Sequence, residues 1–276
     1  MKFNTVWAAY FSATDTTKKV VTTIANRIAE QAGVPVQTFD FTIPTARKTP
    51  KDFSEDDLVI FGTPVYAGRV PNLLVKYIAT VEGRGAMGVP VVLYGHRNFD
   101  DALIELRNVM EQDGFRTVAG GAFVGEHSFS HTMAAGRPDA SDLAIAVSFA
   151  DNIYRKIEEI TDFSHHKPVL VKGQDPIRPY FQPRDKEGNP IDIRKVKPET
   201  TDTCLKDCTI CADLCPMGSI NPANPKEVTG ICIKCNACVK KCPVGAKVFT
   251  DPKFLYHARD IEQLYSQPRK EPEVFL

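Results

Sequence analysis

The chain has 276 residues, 43% of them hydrophobic and 25% charged, with 34 Lys plus Arg against 34 Asp plus Glu. That length leaves room for two domains, and the composition is that of a globular protein rather than a disordered chain. The even charge balance leaves no footprint for nucleic acid or for an anionic membrane surface.

The opening residues, Met1 to Trp7, contain neither a long apolar stretch nor a small-residue cleavage site, and no run of 18 apolar residues occurs. A cytoplasmic location without membrane insertion is expected. The first 163 residues alternate between strand and helix patterns. Residues 5–11 form an apolar run suited to a buried parallel strand. Residues 18–31 have helical spacing, with Val20, Val21, Ile24, Ile28 and Ala29 on one side. Further strands are predicted at 36–39, 57–63, 90–95 and 117–123, and helices at 73–78, 101–112 and 143–160. Five strands, each followed by a helix or connection, argue for an α/β fold with a doubly wound parallel sheet in the flavodoxin-like order 2-1-3-4-5.

Ligands of such sheets lie beyond the carboxyl ends of the strands, at the switch point, where three segments should meet. Ser12, Thr14, Asp15, Thr16 and Thr17 follow the first strand and offer hydroxyls and N–H groups at a helix start, a phosphate cradle or simply a helix cap. Thr63, Pro64, Val65, Tyr66, Ala67 and Gly68 follow the third strand. Tyr66 there presents a flat face for a flavin ring. Gly95, His96, Arg97, Asn98 and Phe99 follow the fourth strand and would close the other side of the ring. Asp100 reads as a cap for the next helix.

Six of the 20 prolines, at 168, 176, 179, 183, 190 and 198, fall within residues 164–200. This stretch reads as an irregular connector. Ile177, Tyr180, Phe181, Ile191, Ile193 and Val196 make it too apolar for a solvated tether, so packing between domains is expected.

All eight cysteines lie within residues 204–242, as Cys204-x3-Cys208-x2-Cys211-x3-Cys215-Pro216 and Cys232-x2-Cys235-x2-Cys238-x3-Cys242-Pro243. The second run is the bacterial iron–sulfur pattern, and the first repeats it with one extra residue. Disulfides need an oxidising compartment. Structural zinc separates its cysteine pairs by a longer loop. Two [4Fe–4S] clusters fit the spacing better. The fourth cysteine of each run ligates the other cluster in two-cluster proteins of this type. Cluster I is therefore assigned Cys204, Cys208, Cys211 and Cys242, and cluster II Cys232, Cys235, Cys238 and Cys215. Lys234, Lys240, Lys241 and Lys247 either offset cluster charge or form a solvated face, the latter being preferred. The expected division is 1–163 for a flavodoxin-like domain with a flavin site, 164–200 for the connector, 201–251 for the cluster domain and 252–276 for a C-terminal helix and tail.

The combination of Tyr10-Phe11-Ser12-x-Thr14, Gly62-Thr63-Pro64-Val65-Tyr66-Ala67-Gly68-Arg69, Tyr94-Gly95-His96-Arg97, Gly125-Glu126-His127-Ser128 and the two cysteine runs resembles a bacterial family of flavodoxin–ferredoxin fusion proteins. The resemblance implies an FMN domain followed by a small α+β ferredoxin domain with two [4Fe–4S] clusters, typically from anaerobes. It departs from the flavodoxin phosphate loop at Asp15, where that family carries glycine. No substrate motif or proton-donor pair stands out, although His96, His127 and Tyr66 are candidate donors. The expectation is an electron carrier serving a redox partner protein or a small donor or acceptor. The alternative is an FMN-dependent oxidoreductase that reduces a small molecule with electrons fed through its clusters.

Overall fold

The computed structural model describes residues 2–276. In chain order it contains β1 (Thr5–Tyr10), α1 (Thr16–Ala32), β2 (Val36–Asp40), β3 (Asp57–Pro64), α2 (Asn72–Ile78), β4 (Met87–Tyr94) and α3 (Ala102–Gln112). There follow β5 (Arg116–Thr117), β6 (Gly120–Val124), α4 (Ala140–Glu159), β7 (Glu199–Thr200), α5 (Ile210–Asp213), α6 (Ala237–Lys240), β8 (Lys247–Val248), α7 (Pro252–Tyr265) and β9 (Glu273–Phe275).

The main sheet runs β2-β1-β3-β4-β6-β9, parallel from β2 to β6. Its parallel part is the flavodoxin-like order. Every residue of β4 is buried, because strands flank it on both sides and helices cover both faces. Pleating sends Val6, Ala8 and Tyr10 of β1 to the face covered by α1 and α4, and Ala9 to the face covered by α2 and α3. The apolar stripes of α1 and α4 meet over the first face, through residues such as Val20, Ile24, Ala146 and Ile153.

Three features depart from the sequence expectation. The fifth strand is split, β5 pairing with the start of β4 and β6 with its end. Helix α4 begins three residues early because Asp139 accepts N–H bonds from Ser141 (3.0 Å) and Asp142 (3.1 Å), capping the open turn. The tail returns as β9, antiparallel to β6, so the segment after α7 closes the edge of the first domain's sheet. Neither a short apolar triplet nor its distant partner is legible from local pattern.

The connector bonds to the loops that follow β3 and β4. Phe181 N–H bonds Ala67 O at 2.8 Å and Tyr180 donates to Val70 O at 2.8 Å. Arg178 forks onto the fully buried Asp101 (2.8 and 2.5 Å), which holds that carboxyl down at about 2. Among the described residues no helix is long and apolar enough to cross a membrane.

Candidate functional site

The site grows from the loops at the carboxyl ends of β1, β3, β4 and β6. Asp15 stands just before α1 with φ +65, the left-handed backbone that glycine would adopt freely. Its side chain does not cap the helix, and in the first turn of α1 only the Lys18 N–H finds a side-chain acceptor. The carboxylate instead pairs with Lys241 of the cysteine region at 2.7 Å. Ser12 Oγ accepts the Lys18 N–H (2.9 Å) and holds the loop against the helix.

The β3 loop makes a tight hairpin. Tyr66 and Arg69 exchange backbone hydrogen bonds of 2.9 and 3.2 Å across Ala67 and Gly68, whose φ values are +51 and +78. Two successive positive φ values are what a type I′ turn requires. A Cβ on Gly68 would also lie 2.2 Å from the Asp100 carboxylate, which pairs with Arg97. On the β4 loop, the His127 ring lies against Gly95, where an added Cβ would meet His127 Cδ2 at 2.4 Å.

Two adjoining cavities result. The smaller is lined by Thr14, Thr16 and Thr17 and by Pro64, Val65, Tyr66, Gly95 and His127. The larger, about 650 Å³, shares Val65, Tyr66, Gly95 and His127 and continues past Ala67, Gly68, Arg97 and Asn98. Its far wall comes from the connector, from Ile231–Lys234 of the cysteine region and from His257 of α7. Of the residues expected at the flavin site, Ser12, Asp15, Thr63, His96 and Phe99 line neither cavity. Thr63 and Phe99 are buried in the sheet core. His96 lies within hydrogen-bonding distance of Tyr265 O through Nδ1 (2.5 Å) and of the Lys270 N–H through Nε2 (3.1 Å), so both ring nitrogens are occupied by the C-terminal segment. Asp100 is not the cap of α3, since the helix starts after Asp101.

His127 keeps its place at the cavities. Its Nδ1 accepts the Phe129 N–H (3.1 Å), which puts the ring hydrogen on Nε2. Burial, reinforced by His257, Lys240 and Arg97, pushes its pKa down to about 3. The neutral imidazole is therefore a hydrogen-bond donor at neutral pH. Burial, with the Cys235 and Cys232 thiols nearby, raises the Tyr66 hydroxyl well above its ordinary value. His257, buried between Phe181 and Phe129, was not singled out in the sequence. A histidine on an amphipathic helix gives no signal of its own until a cavity opens beside it.

The cysteines fall into two groups. Cys204, Cys208, Cys211 and Cys242 line one small cavity, and Cys215, Cys232, Cys235 and Cys238 line another. Each group draws three cysteines from one run and the fourth from the other. The Ser219 N–H points to Cys215 Sγ (3.3 Å) and the Ala246 N–H to Cys242 Sγ (3.2 Å). Burial acts upward on Cys242, but N–H donors from Val244, Lys247, Ala246 and Gly245 outweigh it and hold that thiol below its usual range. Burial, with the neighbouring cysteines adding to it, drives Cys238 up to about 12 and Cys235 higher still. Thiols in such surroundings become thiolate ligands when a cation supplies the compensating charge. Among the described residues no three His, Cys, Asp or Glu converge on a single ion. Two sets of four thiols are compatible with iron–sulfur ligation.

The lysines around the second run do not form a solvated face. Lys234 and Lys247 are buried, Lys240 bonds Ser130 O (2.6 Å) and pairs with Glu126, and Lys241 pairs with Asp15. Lys240, Lys241 and the Asn236 Nδ2–H to Ser128 O bond (2.8 Å) fasten the second cysteine run onto the β1 and β6 loops. Ala237 and Cys235 join the same apolar cluster as Phe11 and Tyr94.

No protein-family model matches this chain, and no curated protein matches it. Among solved structures it is similar to a flavodoxin from the domain Archaea (TM-score 0.40, 17% identity, covering 56% of this chain and 99% of that one). It is similar also to the flavodoxin of Streptococcus pneumonia TIGR4 (0.38, 17%, 55% and 99%). A third is the NADH:FMN oxidoreductase EMOB in its apo form (0.41, 17%, 60% and 95%). Likenesses at these scores carry no weight beside the strand order itself.

Proposed function

We propose that this chain is an electron-transfer flavo-iron–sulfur protein that relays electrons between FMN and two [4Fe–4S] clusters, to or from a redox partner. Residues 1–163 form the FMN-binding domain, 164–200 the packed connector, 201–251 the cluster domain and 252–276 the helix and tail. Thr14, Thr16 and Thr17, with the N–H groups at the very start of α1, suit the FMN phosphate. Tyr66, Gly95 and His127 suit the ring. The crossed cysteine sets would hold cluster I (Cys204, Cys208, Cys211, Cys242) and cluster II (Cys232, Cys235, Cys238, Cys215). FMN exchanges electrons in pairs or singly, and clusters exchange them singly.

The observation that carries this reading is the shared wall: Tyr66 and Cys232 line one cavity. A flavin and cluster II held there would be near neighbours. Lys240 and Lys241 bridge the two halves through Glu126, Ser130 and Asp15.

Anaerobic purification followed by metal, sulfide and flavin analysis tests it. About eight irons, eight labile sulfides and one FMN per chain are expected for two cubanes and a flavin. Stoichiometric zinc, or no flavin after reconstitution, defeats it. A redox titration followed by absorbance and EPR then ranks the centres. A second reading, an FMN-dependent oxidoreductase acting on a small molecule, is favoured by the size of the cavity, since a simple carrier needs only an exposed flavin edge.

A further inference from the structure

The large cavity extends well past the residues it shares with the phosphate-side cavity. Those shared residues, among them Val65, Tyr66, Gly95 and His127, mark where a flavin ring would lie. Beyond them, side chains from the connector, the cysteine region and α7 enclose space that FMN does not need. A volume of about 650 Å³ falls within the range of sites that enclose a small organic molecule as well as part of a cofactor.

We propose that this far end is a binding chamber for a flat, apolar-bodied organic anion, an aromatic or conjugated carboxylate, with Arg97 as its anion contact and the far wall, Phe181 included, as the surface against its body. The inference rests on the FMN reading above, because the flavin ring forms the floor of the chamber.

Three observations support it. The walls are mostly apolar: Phe129, Ile191, Ile193, Ile231, Ile233 and Ile261. The Phe181 and His257 rings stack on each other, 28° apart with centroids separated by 6.3 Å, and make that wall a fixed aromatic surface. The lining charges are cationic in balance, with Arg97, Arg194 and Lys234 against Asp192 alone.

The three cations are not equivalent. Arg194 is exposed and forks onto Asp192 (2.9 and 2.8 Å), so it is already neutralised. Lys234 bonds Cys232 O (2.9 Å) and Arg194 O and sits between two cluster ligands, whose thiolate charge it faces. Arg97 is largely enclosed, its guanidinium lies 4.3 Å over the Phe181 ring, and its single acidic partner, Asp100, occupies one nitrogen. The rest of the fork remains for a carboxylate, in the geometry that suits a bidentate contact. The neutral His127, a donor through Nε2, adds a second polar contact at the boundary with the ring.

The test uses the full chain loaded with FMN and clusters, under anaerobic conditions, titrated with trans-cinnamate and separately with cinnamamide. Binding is read from perturbation of the visible flavin band and from calorimetry. Cinnamate should bind at least about tenfold tighter than the amide, as expected for one desolvated charge contact. Arg97→Gln should abolish that preference, compared at equal FMN loading, and Arg97→Lys should retain part of it. Phe181→Ala should weaken both probes alike. Cinnamate that fails to bind the FMN-loaded protein, or binds no better than the amide, overturns the chamber and leaves the flavin reading intact. Failure to retain FMN overturns both, and flavin stoichiometry distinguishes the two results.

Discussion

The two halves of this chain are held by different forces. Residues 5–160 form a sheet with two large apolar clusters, one on each face, and most of their members are wholly excluded from water. The cysteine region has two-residue strands, four-residue helices and exposed apolar side chains such as Leu205, Ile231 and Val244. The first half follows from the hydrophobic effect. The second has little apolar burial of its own, and under the proposed function metal–sulfur bonds would supply what burial does not. The contrast teaches that loss of metal should not affect the molecule evenly.

Removal of iron by chelation gives the largest expected effect. Hydrogen exchange should show amides of residues 201–250 losing protection while those of β1, β3 and β4 keep theirs. Simultaneous loss in both would show that the halves are one folding unit. The flavin should also be released more readily, because the second cysteine run closes one wall of its cavity.

Gly95→Ala sharpens the comparison from the other side. Its Cβ would overlap the His127 ring, an overpacking that costs about 1–3 kcal/mol. FMN affinity, followed by fluorescence quenching, should fall at least about tenfold while iron content stays unchanged.

Acid should weaken the cavity wall through His127. Its pKa is lowered from an ordinary value near 6.5 to about 3 by burial. The stabilisation from keeping it neutral is fully present above about 6.5 and is lost as pH falls from there towards about 3. The slope is at most about 1.4 kcal/mol per pH unit. Urea unfolding at pH 6.5 and pH 5 should show a smaller difference for His127→Phe than for the unaltered chain. Equal differences would place the sensitivity elsewhere.

The smallest effect concerns the bridge between halves. Lys241→Gln leaves Asp15 unpaired beside the proposed phosphate site, and FMN affinity should fall by about fivefold or less, as for a half-exposed ion pair. Adding Asp15→Gly should recover the loss. A double variant no better than Lys241→Gln would show that Asp15 does not face the phosphate.

Much of the first domain was legible because its signals are local. The apolar run of β1, the helical stripe of α1 and the order of alternating elements each follow from pleating or from a 3.6-residue period. The cysteine groups were legible because spacing within each run is short, although the crossing between runs was supplied by general behaviour of such motifs. The flavin loops were partly legible. Thr14, Thr16, Thr17, Tyr66 and Gly95 line the cavities, but Thr63 and Phe99 turn into the core, and no local pattern tells an inward side chain at a strand end from an outward one. His96 was misleading for a different reason: its ring partners lie about 170 residues away in sequence, on the C-terminal segment.

By itself, then, the sequence determined the α/β alternation, the sheet order and the two sets of thiols, because repeating patterns and covalent spacing encode them within short stretches. Only the tertiary structure decided that β9 closes the sheet edge, that Lys240 and Lys241 bridge to Glu126 and Asp15, and that His257 faces a cavity of about 650 Å³. Such contacts join residues more than a hundred positions apart, and their free energy depends on burial and distance, which no window of sequence contains.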